Sequence, residues 1–137
     1  TFERLEQRKE ILALDPSGRF ATTKDGILQT ARTAASGTVV VIDADIPLVK
    51  KLVKVSGLRL VCVWVGLRDL DSFKARIDLG EIPEGETEES LMRARIREIV
   101  QEIEYGLSSG IFEFTVLNDD ANDSLRQLRE AAAYCLL

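Results

Sequence analysis

Acidic and amide side chains follow two of the apolar, β-branched runs in this sequence. Asp43 and Asp45 come directly after residues 39–42, and residues 118–120, Asn-Asp-Asp, come directly after residues 111–117. If both runs are strands of an open parallel sheet, these polar groups lie at its carboxyl edge, where such folds bind ligands. Asp and Asn also favour tight turns, because their side chains hydrogen-bond the nearby backbone. The spacing alone leaves a ligand site and a pair of turns as equal alternatives.

The residue types exclude two common kinds of site. The 137 residues contain no histidine, which removes Ser–His and Cys–His nucleophile pairs and imidazole metal ligands. The two cysteines, Cys62 and Cys135, lack the spacing of a metal site. Cys62 lies within an apolar run, which is typical of a small buried side chain. We therefore predict no metal site and no cysteine chemistry.

The order of apolar patterns predicts an α/β domain with a parallel sheet, because short β-branched runs alternate with longer helical periods. We expect one domain. Strands are predicted at residues 39–42, 58–65 and 111–117. A helix is predicted from Thr22 or Thr23 to about Ser36, with Gly37 as its stop, and another from Pro47 to about Val55. Further helices are predicted at residues 2–14, 69–77, 86–107 and about 122–137. A turn is predicted at residues 15–18 and a polar loop at 78–85.

Composition and charge narrow the classes of partner. The net charge is −5 and no long basic run occurs, which argues against a nucleic-acid partner, since Lys and Arg on phosphates dominate such binding. No apolar run approaches the ~20 residues that a membrane span needs. No signal peptide is visible at the polar start of the chain, so we expect an intracellular, cytoplasmic location.

Several segments together resemble the guanylate kinase family. The specific part is Glu-Thr-Glu-Glu-Ser at 86–90, Glu-Tyr at 104–105, Gly-Ile-Phe-Glu-Phe at 110–114 and Asn-Asp-Asp at 118–120. Their order and nearly all their spacing match. The looser part is Val-Ile-Asp-Ala-Asp at 41–45 and Phe-Ala-Thr-Thr-Lys at 20–24. The resemblance covers nearly the whole chain.

This resemblance implies a P-loop nucleotide kinase-like three-layer fold with a parallel sheet. Residues 1–137 would form a single partial domain, with a GMP-binding remnant at about 1–36, core at 38–77 and 96–137, and a lid at 78–95. Guanylate kinases transfer a phosphoryl group from ATP to GMP with Mg²⁺. That reaction depends on positioning and on cations that stabilise the transferred group. ATP and Mg²⁺ are therefore the cofactors expected of an active form.

Site residues carry over position by position from the resemblance. The implied catalytic residue is Arg95 on the long helix. The implied GMP-binding residues are Phe20, Thr23, Asp43 and Asp45, and the implied ATP-binding residues are Asn118 and Asp119. All of these residues except Phe20 have a structural alternative: a helix cap for Thr23, an ion-paired surface position for Arg95, solvated strand-end acids for the aspartates at 43 and 45, and a turn for residues 118–119.

The departures from the family pattern affect the lid, the guanine site and the P-loop. Residues 78–92 contain six acids and no Lys or Arg, whereas the family places basic residues in the lid. The glutamate that reads guanine falls at Ile11 or Leu12, and the tyrosine that contacts phosphate falls at Phe20. No Gly-x-x-x-x-Gly-Lys-Ser/Thr motif occurs, so the P-loop strand and helix are expected either upstream or lost. Pro47 and Leu48 replace a glutamine and a glycine at the start of the next helix.

These observations lead to two functional hypotheses. The first is a degenerate guanylate-kinase-like domain that acts as an interaction or structural module and keeps some nucleotide binding. The alternative is an active guanylate kinase whose P-loop lies upstream. Expected ligands are GMP and ATP, and a protein partner or an upstream segment would complete the sheet. Without that strand we expect residues 1–137 alone to be unstable, because neighbouring strands keep unpaired backbone groups.

Overall fold

The computed structural model describes residues 3, 4, 8, 10–15 and 17–137. It is a mixed α/β structure that contains a small parallel sheet. The chain divides into two compact units, residues 1–60 with Leu136, and Val61–Cys135 with Leu137. None of the helices in the described part of the chain is both long and apolar enough to cross a membrane.

An antiparallel hairpin of β1 (Ile11–Leu14) and β2 (Ala21–Thr23) lies in the first unit. The predicted helix at 2–14 is therefore wrong at residues 11–14; it is confirmed at Glu3 and Arg4, and most of the rest of its earlier part lies outside the described residues. The predicted turn explains the error: the Asp15 carboxylate accepts from the backbone N–H groups of Ser17 and Phe20. These bonds reverse the chain, so a four-residue apolar run finds a strand partner. Runs this short do not distinguish helix from strand.

Two helices follow in this unit, α1 (Lys24–Thr33) and α2 (Ile46–Leu52). Thr23 caps α1 as predicted, since its hydroxyl accepts from the backbone N–H of Gly26. The helix ends at Thr33, before the predicted end near Ser36. Gly37 lies beyond the cap with a φ of 78°, a value that favours glycine.

Residues 39–42 do not form the predicted strand. Val41 is 77% exposed and Val40 is 42% exposed, so the prediction of a buried strand is wrong here. Ile42 and Ala44 pack instead against the core of the first unit. That core consists of Leu12, Leu48, Leu52 and Val55. A β-branched run extends readily, but it becomes a strand only when another strand pairs with it.

The second unit contains the parallel sheet, formed by β3 (Cys62–Gly66) and β4 (Phe112–Leu117). Its helices are α3 (Leu70–Arg76), α4 (Glu88–Ser108) and α5 (Ala121–Cys135). The predicted strand at 111–117 and helices at 69–77 and 86–107 are confirmed within two residues. The predicted strand at 58–65 starts later, because Leu58 and Leu60 belong to the packing of the first unit.

Aromatic contacts hold α4 against this sheet. The ring centroid of Phe112 lies 5.3 Å from that of Trp64 and 6.5 Å from that of Tyr105, both edge-to-face. Edge-to-face pairs place the positive ring edge against the negative ring face. Buried side chains of this unit come from three elements: Ile99 of α4, Val116 of β4 and Ala131 of α5. The two helices α4 and α5 and the strand β4 thus supply the buried side chains of this unit.

Candidate functional site

An open groove of about 480 Å³ lies in the first unit. Its walls come from β2, the first turns of α1 and residues 40–43. We call it the first groove. It brings together Thr23 and Asp43, two of the residues that the sequence assigned to GMP binding. Its apolar surface comes from Ala21, Ile27 and residues 40–42, an arrangement that suits a flat ring with a few polar groups.

Some polar groups of the first groove already form hydrogen bonds within the protein, and others do not. The Thr23 hydroxyl accepts from Gly26 N–H at 3.1 Å, and the Thr30 hydroxyl donates to the Gly26 carbonyl at 2.8 Å. The exposed Asp43 carboxylate has no hydrogen-bond partner among the described residues. Asp43 is therefore the acceptor that a ligand in this groove would meet first.

Phe20 and Asp45 lie outside the walls of the first groove. The Asp45 carboxylate accepts from Leu48 N–H at 2.9 Å and caps α2. Phe20 is 72% exposed, and its backbone N–H donates to Asp15. The structure thus gives Asp45 a capping role and leaves the Phe20 ring in solvent.

Asn118 and Asp119 join the carboxyl ends of β3 and β4. The Asn118 backbone N–H donates to the Gly66 carbonyl at 2.7 Å, and the Asp119 carboxylate accepts from Arg68 N–H at 3.0 Å. The Ser124 hydroxyl donates to the Asn118 side-chain oxygen at 3.2 Å. These bonds fix the two loops at the strand ends, which is the turn role that the sequence left open. Open α/β sheets bind ligands at this edge.

Arg95 lies on the surface of α4 and pairs with Glu98 at 2.8 Å, one turn later. Both side chains are more than half exposed, at 55% and 59%. Exposed pairs of this kind contribute about 0.2–1 kcal/mol. The ion-paired alternative therefore describes the position of Arg95, and its guanidinium lines neither of the two grooves described here.

A second groove of about 430 Å³ occurs where the sequence places the lid. It is formed by the loop at 77–82 together with Glu88 and Met92 of α4. The walls carry two carboxylates, Asp78 and Glu88, and no Lys or Arg among the described residues. Asp78 accepts from Gly80 N–H at 2.9 Å, which fixes the loop with a carboxylate at its base.

The first turn of α4 closes this segment with a capping box. The Thr87 hydroxyl accepts from Ser90 N–H at 3.1 Å, and the Ser90 hydroxyl accepts from Thr87 N–H at 3.2 Å. Glu88 and Glu89 follow the cap, where acids complement the helix dipole. Glu88 and Glu89 therefore have a helix-stabilising role as well as an electrostatic effect on ligands.

Two positions that departed from the family pattern lie in the core. Leu12 is 6% exposed and Leu48 is 8% exposed, and both belong to the core of the first unit. Leu12 also receives a hydrogen bond at its carbonyl from the Lys51 ammonium, at 2.9 Å. These leucines pack the interior, and neither lines the first groove.

In the described part of the chain, the two cysteines form no disulfide. Burial raises the pKa of the Cys62 thiol, and the nearby Glu113 carboxylate raises it further. A raised pKa leaves less thiolate, the nucleophilic form, at neutral pH. In the part of the chain that the structure describes, no group of three or more Cys, Asp or Glu side chains converges as metal ligands.

Sequence reasoning missed Gly26 and Thr30 as parts of the first groove. Thr23 and Thr30 are separated by seven residues, two helical turns, and so lie on the same face of α1. That spacing was visible in the sequence, but the groove also needs residues 40–43, whose position is set by the core. No family model, no curated protein and no solved structure matches this chain.

Proposed function

We propose that this chain is a guanylate-kinase-like domain that has lost phosphoryl transfer and acts as an interaction or structural module. Its fold would be the three-layer arrangement of the P-loop nucleotide kinases. One observation carries the proposal: the groove at the lid position presents Asp78 and Glu88, with no Lys or Arg in its walls among the described residues.

Electrostatics explains why such a lid opposes the reaction. Phosphoryl transfer needs cations where negative charge develops on the transferred group. Two like unit charges ~4 Å apart near a protein surface repel by about 4 kcal/mol at an effective dielectric constant of 20. The carboxylates of Asp78 and Glu88 would repel the negatively charged phosphates of ATP in this way. Removing an arginine that stabilises the transferred phosphate costs about 10³-fold or more in rate.

The roles of the other assigned residues support the same conclusion. Thr23 and Asp45 cap helices, and Arg95 pairs with Glu98. Each interaction uses the functional group that catalysis or substrate binding would need. Side chains that cap helices or form ion pairs continue to stabilise the fold after an activity has been lost.

Weak nucleotide binding is the part of the activity that we expect to persist. The first groove combines apolar walls with the Asp43 carboxylate. A carboxylate suits the N–H donors on the edge of guanine. We therefore propose that the first groove binds GMP weakly, through its base.

The rate test uses the natural full-length protein with ATP, GMP and Mg²⁺ in a coupled ADP assay. We expect no turnover above the buffer rate. Turnover above ~1 s⁻¹, within the range typical of enzymes, would overturn the proposal and favour the active guanylate kinase with a P-loop upstream.

The binding test uses calorimetric titration of the chain with GMP. Asp43→Asn should weaken binding several-fold, because the amide presents donors as well as an acceptor to the base. Asp25→Asn is the matched control: Asp25 lies in the first turn of α1 and is not part of the groove walls. Equal affinities of the two variants would remove Asp43 from the site.

A further inference from the structure

Residues 39–44 belong to neither a helix nor a strand, and their backbone is available for pairing. None of their backbone N–H or carbonyl groups has a hydrogen-bond partner among the described residues. Residues 38–42 are Thr-Val-Val-Val-Ile, five successive β-branched residues, the type that fits a pleated strand best. Ile42 and Ala44 pack on the core of the first unit, whereas Val41 is 77% exposed. We call residues 38–42 the free segment; within it, the Thr38 N–H is already engaged, because it donates to the Ala35 carbonyl at 3.1 Å.

The sheet of the second unit has an edge of matching length. The five residues of β3 pair with β4 on one side, and no strand in the described part of the chain pairs with the other side. The outer side of β4 is partly occupied, because Leu117 N–H donates to the side chain of Gln127 at 3.0 Å. The free edge of β3 is therefore the better site for an added strand. Val65 on this strand is 57% exposed.

Parallel sheets of two strands are unusual on physical grounds. Parallel strands are normally buried on both faces within a larger sheet. Two strands alone are marginal in water, and three or more with an apolar face are needed for independent stability. An added strand would satisfy open backbone groups of β3 and cover apolar surface at the same time.

The charge of the two units is complementary. Residues 1–60 carry ten Lys and Arg against seven Asp and Glu, whereas residues 61–135 carry eight Lys and Arg against sixteen Asp and Glu. The free segment belongs to the basic unit and β3 belongs to the acidic one. Opposite net charge steers association and favours the pairing of unlike units.

We propose that two copies of this chain associate by strand addition, with the free segment of each copy pairing with the free edge of β3 in the other. Such an exchange is reciprocal and closes with twofold symmetry. Main-chain hydrogen bonds supply affinity, as in other strand-addition interfaces. The proposal does not depend on the loss of phosphoryl transfer, because the lid does not enter the pairing energy. Residues 40–42 of the free segment also form a wall of the first groove, so pairing and GMP binding would share these residues.

Sedimentation of the chain over a hundredfold range of concentration tests the proposal. We expect a monomer–dimer equilibrium that weakens as salt is raised, since screening reduces the attraction between the units. Val41→Lys places a charge on the pairing strand, a device by which natural edge strands block pairing, and should weaken the dimer at least about tenfold.

Val53→Lys is the matched control, because Val53 lies in the same unit, is 42% exposed and receives the same change of charge. It should leave the dissociation constant within about twofold, since it is outside the pairing strand. Circular dichroism of both variants checks that the fold is retained.

Hydrogen exchange of the unmodified chain gives an independent measurement. Amides of the free segment and of residues 62–66 should exchange more slowly at high concentration than at low concentration. A monomer at every concentration would overturn the proposal and leave the β3 edge to a different protein. A dimer that Val41→Lys does not weaken, or one without added protection at both segments, would overturn it as well.

Discussion

At the scale of single residues, the polar side chains that marked a site in the sequence also build the fold. Thr23 and Asp45, both assigned to GMP binding from the sequence, each cap a helix. Sequence reasoning left this open because capping and ligand binding use the same residue types at the same places, the ends of elements. Only the hydrogen-bond partners separate the two roles. Asp43, with no such partner among the described residues, is the acid for which a ligand role remains.

The capping role of Asp45 can be measured by two substitutions. Asp45→Asn should leave the free energy of unfolding nearly unchanged, since Asn caps helices as well as Asp does. Asp45→Ala should lower it by ~1 kcal/mol, because the Leu48 N–H loses its acceptor. Urea denaturation gives both values. Asp43→Ala, two residues earlier, is the control and should change stability by less than about 0.5 kcal/mol. Equal losses in the Asn and Ala variants at position 45 would contradict the capping role.

At the scale of elements, the sequence predicted correctly the features that nearby residues determine. It was wrong at segments whose structure depends on a partner strand. The start of α4 follows from a capping box that four consecutive residues contain, and its position was predicted within two residues. The hairpin partner of Ile11–Leu14 lies across a turn, and residues 39–42 have β-branched composition but no strand partner among the residues that the structure describes. The β propensity of a residue depends on its own side chain, whereas a strand forms only when a second segment pairs with it. The sequence therefore predicted the α/β class and the parallel pairing direction, but not every strand.

The contact between α4 and β3 yields a prediction at this scale. Gly106 faces the Trp64 ring so closely that a Cβ there would lie 2.8 Å and 2.9 Å from two ring carbons. Gly→Ala within a helix normally stabilises by ~1 kcal/mol. Here we expect Gly106→Ala to destabilise the protein by about 1–3 kcal/mol, because overpacking displaces the ring.

A double-mutant cycle separates overpacking from helix propensity. In a Trp64→Leu background the ring is absent, so adding Gly106→Ala should be neutral or stabilising. The difference between the two backgrounds is the coupling energy of the contact. The same loss of stability in both backgrounds would show that Trp64 is not the cause. Urea unfolding followed by circular dichroism suits all four proteins, since tryptophan fluorescence is lost with Trp64.

At the scale of the whole molecule, few apolar side chains are buried for a chain of this length. Among the described residues seven are buried, four in the first unit and three in the second. Many large apolar side chains remain exposed, Val41 and Val65 among them. Small cores leave little stabilisation after the loss of conformational entropy. The sequence raised the same expectation from unpaired strand edges, and it stays a prediction here.

If pairing between copies supplies part of the missing stability, the melting temperature must depend on concentration, because association that involves only the folded state stabilises it by mass action. For a dimer, each tenfold rise in concentration adds ~0.7 kcal/mol per chain, which corresponds to roughly 2–4 °C for a protein of this size. Trp64 is the only tryptophan and lies on β3, so its fluorescence reports the strand that receives the partner. The Val41→Lys variant should melt at one temperature throughout the same range of concentration. A melting temperature of the unmodified chain that is equally constant would mean that its stability resides in the single chain.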